Sequence, residues 1–399
     1  MASRSESHRP LGRSIIAPSP GTQYASIYLV TGIVALGGLL AGYNTGVIAG
    51  AILFVEKDFQ LNSMQVEIAI SAGLIGAIIG ALCAGPINDM LGRKRALMLL
   101  AIVFIVGSRV TAVASTYGIF LAGRIIVGLG FGAVASVVPV YISEVAPANV
   151  RGRLVIFNQI AFTFGIAVSN WVDLAFSATG KGWRPMFALA VVPSAVLLLG
   201  MFLVPETPPW LARHGRLDAA RQALERLGRR PAEIERELNA IRKAGEYQGK
   251  GALPELLRSG LRRALAVGVG LAIFQQLIGI NVVIYYAPII FRDSGVTSAN
   301  AAILAASLIG VVNFISTVVA CLVIDKLGRR PLLLWGTAIM TVCLVALGVI
   351  FAIGPHKTGI SILVILCLYI AAFALSFGPV FWLMSAEIFP TRVRAIGSK

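Results

Sequence analysis

Long apolar runs separated by short polar segments dominate the chain. Runs of about 20 residues or more have the length that crosses the hydrocarbon core of a bilayer. Such runs lie at 27–52, 68–88, 96–116, 118–144, 154–176, 186–204, 264–290, 301–323, 331–353 and 361–387. They predict an all-α polytopic membrane protein with ten spanning helices, six before a central polar segment and four after it.

The polar segments divide the chain into four predicted parts. Residues 1–26 form a polar N-terminal tail, and 27–204 form an N-terminal bundle of six helices. The charge-dense segment 205–263 has the spacing of short amphipathic helices and links this bundle to a C-terminal bundle of four helices at 264–399. Only 13% of the residues are charged, against about 25% in soluble proteins, which excludes an ordinary soluble enzyme.

Basic residues concentrate on one side of the predicted membrane. They follow helices 2, 4 and 8, at Arg93–Arg95, Arg151–Arg153 and Lys326–Arg330. The positive-inside rule therefore predicts a multi-pass protein of the plasma or inner membrane, surrounded by lipid, with both termini and the linker in the cytoplasm. The net charge of +16 reflects this orientation. Because no basic face alternates with stacking aromatic residues, we expect no nucleic-acid partner.

The residues that bind metals are scattered. The four cysteines lie inside apolar runs, where they are typical of small buried hydrophobic residues, and the three histidines lie in the tail and the loops. Neither set has the spacing of metal ligands. The sequence therefore predicts no metal, no cofactor and no enzymatic activity.

Two charged motifs each occur twice in the chain. The segment Asp89–Arg95 recurs as Asp325–Arg330, and Glu144–Arg151 recurs as Glu387–Arg394. Two motifs that repeat in the same order indicate homologous halves, as in transporters built from repeats. The first half continues through two more helices after its second motif, whereas the other half ends shortly afterwards. By its own symmetry the chain lacks two helices, and we interpret it as C-terminally truncated.

From about residue 35 onward the chain resembles the sugar porter family of the major facilitator superfamily. The resemblance is carried by Gly42–Ile48, Gly85–Arg95, Gly123-Arg124, Pro205–Pro208, Gln275–Asn281, Tyr285-Tyr286, Gly378–Trp382 and Glu387. Each motif is weak alone, and their order and spacing are specific. The resemblance implies a fold of two pseudo-symmetric six-helix bundles. It also implies transport of a hexose, a pentose or a polyol by alternating access, either as a proton symporter or as a facilitative uniporter.

Amide side chains near the middle of the membrane are candidates for the sugar site, because each carries hydrogen-bond donors and an acceptor without net charge. The alternative is hydrogen bonding between helices, but two adjacent glutamines with further asparagines favour a polar cavity. The resemblance assigns to the site Gln159, Gln275, Gln276, Asn281, Asn313 and Trp382. In a regular helix Asn281 would lie off the face of the glutamines, so it joins the site only if the helix is irregular near Gly279. Trp382 is expected to gate or stack.

Asn44 and Arg124 are the candidate coupling pair. They lie about 12 and 9 Å from the outer ends of their predicted helices, which allows contact. In the symporters that the chain resembles, an aspartate takes the place of Asn44, and its protonation would break an ion pair with the arginine. An asparagine cannot titrate, so we expect facilitative uniport. The alternatives are proton symport through another acid, such as Asp173 or Glu67, a substituted or truncated form of a proton symporter, and a sugar sensor that does not transport.

Charged residues at the cytoplasmic ends of both halves are candidate gates. The resemblance implies that Asp89, Arg93, Glu144, Arg151, Asp325, Arg329, Glu387 and Arg394 close the inner side when the protein faces outward. The alternative is that the basic residues serve only as orientation signals, but that explains only one of the two signs of charge. Tyr285 and Tyr286 are assigned to gating as well. Arg109 is expected to extend outward along the lipid toward water.

Overall fold

A computed structural model of the chain describes residues 20–147, 150–180, 182–248, 262–296, 298–354 and 359–387. Every regular element in these ranges is an α-helix. In chain order the helices are α1 (Pro20–Asp58), α2 (Ser63–Leu91), α3 (Arg93–Ala112), α4 (Tyr117–Val145), α5 (Arg151–Ala178), α6 (Arg184–Ala188), α7 (Val191–Leu203), α8 (Pro208–Arg213), α9 (Leu217–Arg226), α10 (Pro231–Gln248), α11 (Arg262–Leu277), α12 (Ile280–Asp293), α13 (Ala299–Leu327), α14 (Arg329–Ile353), α15 (Gly359–Leu375) and α16 (Phe377–Glu387).

The described residues contain ten segments that are long and apolar enough to cross a membrane, which confirms the predicted fold class and number of spans. The first helix differs from the prediction. It runs from Pro20 to Asp58, past both ends of the apolar run 27–52, so the end of the predicted tail is helical. Lys57 lies in the last turn of α1.

Three spans are interrupted, the sixth at residues 189–190 between α6 and α7, and the seventh and the tenth within or next to a sequence motif. The backbone of Gly279 has φ +86°, a left-handed conformation that glycine adopts without steric cost, and it separates α11 from α12. The seventh span is therefore irregular near Gly279, which is the condition under which Asn281 can join the predicted sugar site. The tenth span is interrupted at Ser376, between α15 and α16, just before the Gly378-Pro379 pair.

Backbones in the N-terminal half approach so closely that only glycine fits between them. α2 packs along α4, and α1 packs along α5. A Cβ atom added to Gly132 of α4 would lie 1.8 Å from the carbonyl oxygen of Ala77 in α2. One added to Gly42 of α1 would lie 1.8 Å from that of Phe162 in α5. The first five helices thus interlock through small residues, as is common in membranes.

The linker helices α8–α10 mark one end of the bundle. Trp210 of α8 donates a hydrogen bond from Nε1 to the carbonyl oxygen of Asp89 at 3.0 Å, and Arg229 donates from Nη2 to that of Val145 at 3.0 Å. We call this the linker end, and the opposite end, where α1 stops at Asp58, the distal end. The two halves contact each other through α1 against α12 and α5 against α13.

Candidate functional site

The structure brings Asn44 of α1 and Arg124 of α4 into direct contact. Nη1 of Arg124 donates a hydrogen bond to Oδ1 of Asn44 at 2.8 Å, and only 3% and 8% of the two residues are exposed. The guanidinium also lies over the ring of Phe187, 5.6 Å from its centroid. Among the described residues no carboxylate comes within ion-pair distance of Arg124. This buried charge is therefore in contact with a neutral amide and an aromatic face.

The break at Gly279 brings two of the candidate amides together. Nδ2 of Asn281 in α12 donates a hydrogen bond to Oε1 of Gln276 in α11 at 3.0 Å. In an uninterrupted helix these residues would point in different directions. The irregular backbone thus returns Asn281 to the glutamine side of the span.

Asn313 lies on α13, and only 5% of it is exposed. It lines a small pocket between the two halves, formed by Ile166, Asn170, Ile284, Ala287, Ala306, Ile309, Gly310 and Asn313. Asn170 of α5 was not among the predicted site residues, because a single asparagine in an apolar run gives no signal that distinguishes a pocket from helix packing. The pocket therefore has an amide from each half.

Three amides have no partner in the described part of the chain. The side chains of Gln159, Gln275 and Asn313 make no hydrogen bond to another described residue. An amide at membrane depth that has no protein partner must be satisfied by water or by a ligand. Gln159 of α5 faces the start of α16, since a Cβ atom added to Gly378 would lie 4.0 Å from its Nε2. The side chain of Trp382 lies outside the described residues.

Three of the predicted gating residues form a network at the linker end of the first half. Nη2 of Arg93 lies 2.9 Å from Oε1 of Glu144, and its Nη1 lies 3.8 Å from Oδ1 of Asp89. Arg93 is only 3% exposed. Arg151 is exposed and donates from Nη2 to the carbonyl oxygen of Ala146 at 3.4 Å.

The matching set in the second half is only partly described. Arg329 begins α14 directly after Gly328 and is half-buried. The side chains of Asp325 and Glu387, and the whole of Arg394, lie outside the described residues. The predicted network of the second half therefore stays a prediction.

Glu206 belongs to the Pro205–Pro208 motif and is a functional candidate to which the sequence pattern assigns no role. Its carboxylate accepts hydrogen bonds from the backbone N–H groups of Arg93 at 3.0 Å and Lys94 at 3.1 Å, and so caps the first turn of α3. Burial raises the pKa of the Glu206 carboxyl, although hydrogen bonds from the backbone N–H groups of Thr207, Lys94 and Arg93 oppose this shift. The linker is thereby attached to the α2–α3 turn.

The two candidate gating tyrosines lie where α12 meets the first half. Tyr285 is buried beside Arg124 and Thr45, and Tyr286 is half-buried beside Glu67. The other acid considered for coupling, Asp173, is fully buried on α5 against Gly50 of α1. Neither of its carboxylate oxygens makes a well-formed hydrogen bond in the described part of the chain.

Residues 30–399 match the family described as "Sugar (and other) transporter". The chain is 43% identical to the glucose transporter GlcP of Staphylococcus epidermidis, over 93% of this chain and 82% of that protein. It is 36% identical to the galactose-proton symporter of Escherichia coli K12, over 94% and 81%. The fold is similar to the partially occluded inward-open xylose transporter XylE of E. coli, with TM-score 0.80, 32% identity, and coverage of 93% and 89%.

Proposed function

The chain belongs to the sugar porter family of the major facilitator superfamily and transports sugar across a membrane, and we propose that it works as a facilitative uniporter of a monosaccharide or polyol. The names of its relatives leave the mode of transport open, since one is named a glucose transporter without a mode and another a galactose-proton symporter. The observation that carries the proposal of uniport is the hydrogen bond between Arg124 and Asn44.

Two properties of that contact exclude a proton switch at residue 44. An amide has no proton to gain or lose near neutral pH, and a guanidinium stays charged. Protonation of an aspartate at this place would remove a charge 2.8 Å from Arg124, whereas Asn44 stays neutral at every pH of interest. The hydrogen bond between Arg124 and Asn44 is therefore the same at the pH of either side of the membrane.

The amides Gln159, Gln275, Gln276, Asn281 and Asn313 supply the proposed sugar site, together with Trp382. Uncharged groups that both donate and accept hydrogen bonds match hydroxyls, and they do not select for a charged substrate. The amides that have no described partner are the ones expected to bond to the sugar directly. This donor set supports a hexose, a pentose or a polyol.

Alternating access requires that the two ends of the bundle open in turn. We propose that the linker end faces the cytoplasm, as the basic residues of that end indicate, and that ion pairs between the gating charges of the two halves close it. The contacts of Arg93 with Glu144 and Asp89 lie within the first half and hold its charges in position for that closure. Breaking one partly buried pair between the halves would favour the state open at the linker end by about 1 kcal/mol.

The experiment is counterflow of radiolabelled glucose, xylose, galactose and inositol in proteoliposomes, with and without a pH gradient. A uniporter exchanges its sugar at a rate that ignores the gradient, and sugar causes no alkalinisation of the medium. Gradient-driven accumulation by the unaltered chain would contradict uniport. Absence of counterflow for every sugar would favour a sensor.

Asn44→Asp supplies a matched variant for this test. A carboxylate placed against Arg124 forms an ion pair that protonation breaks, so we expect sugar-induced alkalinisation to appear with this variant. Gln275→Ala is the control, and it should lose counterflow about tenfold or more without gaining any proton movement, since one or two hydrogen bonds to sugar are lost. If Asn44→Asp moves no protons, residue 44 does not determine the mode of coupling.

A second candidate function, proton symport, is favoured by Asp173. A carboxylate that is fully buried without a well-formed hydrogen bond is costly to ionise and so is a group that could carry a proton. Symport through this residue predicts that Asp173→Asn abolishes accumulation driven by a pH gradient and leaves counterflow intact. Uniport predicts that the variant and the unaltered chain behave alike in both assays.

A further inference from the structure

An ion pair joins the two halves at the distal end. Nη1 of Arg292 lies 2.7 Å from Oε2 of Glu56. Glu56 lies near the end of α1 and Arg292 in the last turn of α12, so the two residues belong to different halves. Their side chains are 29% and 42% exposed, which places the pair at the rim of the contact and within reach of water.

Two neighbouring acids of the distal end are paired within a single half. Asp58 accepts hydrogen bonds from Nε1 of Trp183 at 2.8 Å and from Nη1 of Arg184 at 3.2 Å. Asp293 lies 3.5 Å from Nε of the adjacent Arg292. These contacts persist however the halves are placed, whereas the contact between Glu56 and Arg292 requires the halves to be together.

Deeper contacts between the halves show that the distal end is closed. Nδ2 of Asn170 in α5 donates a hydrogen bond to the carbonyl oxygen of Ala306 in α13 at 3.3 Å. A Cβ atom added to Gly310 would lie 2.6 Å from the same Nδ2, so the helices have no room to approach further. Ile309, beside this contact, is only 3% exposed. The pair between Glu56 and Arg292 is therefore made in the state that seals the pocket from the distal side.

We propose that Glu56 and Arg292 form a latch that favours the distal-closed state, an inference that rests on the alternating-access cycle proposed above. Opening the distal end separates α1 from α12 and leaves each charge to be hydrated alone. Because an exposed ion pair contributes little, the latch shifts the ratio of closed to open protein by about two- to fivefold. A bias of this size shifts the populations toward the distal-closed state, and the protein still reaches the distal-open state in each transport cycle.

The test uses Ile309→Cys as a reporter in a chain whose four native cysteines are replaced by alanine. A membrane-impermeant maleimide added at the distal side labels this position only when the distal end opens. Glu56→Gln and Arg292→Gln should each raise the labelling rate about two- to fivefold. The double variant should label no faster than either single one, and the charge swap of Glu56→Arg with Arg292→Glu should restore most of the original rate.

Arg184→Gln is the matched control, since it breaks an exposed ion pair at the same end but within one half. It should leave the labelling rate unchanged. Val137 is fully buried in the first half, so a cysteine placed there by Val137→Cys is labelled only if the protein unfolds. If a single variant is labelled at this position, it is misfolded, and the charge-swapped chain is used for the test in its place. The proposal is overturned if the single variants label at the parent rate, or if Arg184→Gln accelerates labelling as much as they do. Labelling needs no sugar movement, so its outcome is separate from that of counterflow.

Discussion

The α2–α3 turn and the α13–α14 turn are two copies of one motif, and they differ in what surrounds them. Gly92 has φ +87° and ψ 162°, and Gly328 has φ +80° and ψ 164°, so the backbones are nearly identical. A Cβ atom added to Gly92 would lie 2.3 Å from Oε2 of Glu206 and 3.2 Å from Trp210. At Gly328 the nearest described atom is Cδ of Pro331, at 4.0 Å. The repeat determines the backbone, and the linker makes the two halves unequal.

The largest expected effect comes from removing the arginine that follows each glycine. Arg93→Met should destabilise the protein by about 3 kcal/mol, because it leaves Glu144 partly buried without its partner. Arg329→Met should cost clearly less, because Arg329 is only half-buried. Thermal unfolding of both variants in detergent measures the difference. Equal losses would mean that the second half has a network as buried as the first.

An intermediate effect is expected from the glycines themselves. Gly328→Ala should cost about 1–2 kcal/mol, because a side chain would be held at positive φ with ψ near 160°, a region that essentially only glycine adopts. Gly92→Ala should cost about 1 kcal/mol more, since it also displaces the Glu206 cap. A double variant, Gly92→Ala with Glu206→Ala, should cost less than the sum of its parts in the same unfolding assay. Strict additivity would show that Gly92 and Glu206 act independently.

The smallest effect concerns the charge of Glu206 and depends on pH. Glu206→Gln should change stability at pH 7 by about 1 kcal/mol or less, because the amide oxygen still accepts from the backbone. Burial raises the folded-state pKa above the ordinary 4.5. Between pH 4.5 and the raised pKa, Glu206 binds a proton in the folded protein but not in the unfolded protein. The contribution of Glu206 to the free energy of unfolding therefore falls as the pH rises through this window.

Lowering the pH from 7 toward 4.5 should therefore stabilise the unaltered chain relative to Glu206→Gln. Unfolding temperatures of the two proteins, compared at several pH values, measure this trend. Glu225→Gln, which removes a carboxylate from the exposed surface of α9, serves as the control. The opposite slope would mean that the capping hydrogen bonds outweigh burial and lower the pKa.

Much of the membrane architecture could be predicted because a backbone inside lipid must be helical, so apolar length alone determines the spans. The helix break at Gly279 could also be predicted, since a glycine beside polar residues indicates an irregular helix. The extension of α1 to Asp58 was not, because the helix continues through charged residues that reach water. The break at Ser376 and the roles of Glu206 and Asn170 depend on neighbours distant in sequence, which no local pattern reports.

The close backbone approaches in the first half have a genetic consequence. Every missense change of a glycine codon adds at least a Cβ atom, and at Gly132 or Gly42 that atom would lie 1.8 Å from a carbonyl oxygen of the neighbouring helix. Changes to these codons are therefore either silent or damaging, and few missense alleles have a mild effect. In a saturation library selected for transport, the positions should form a band that tolerates no missense allele, while Gly85, which faces open space, accepts alanine.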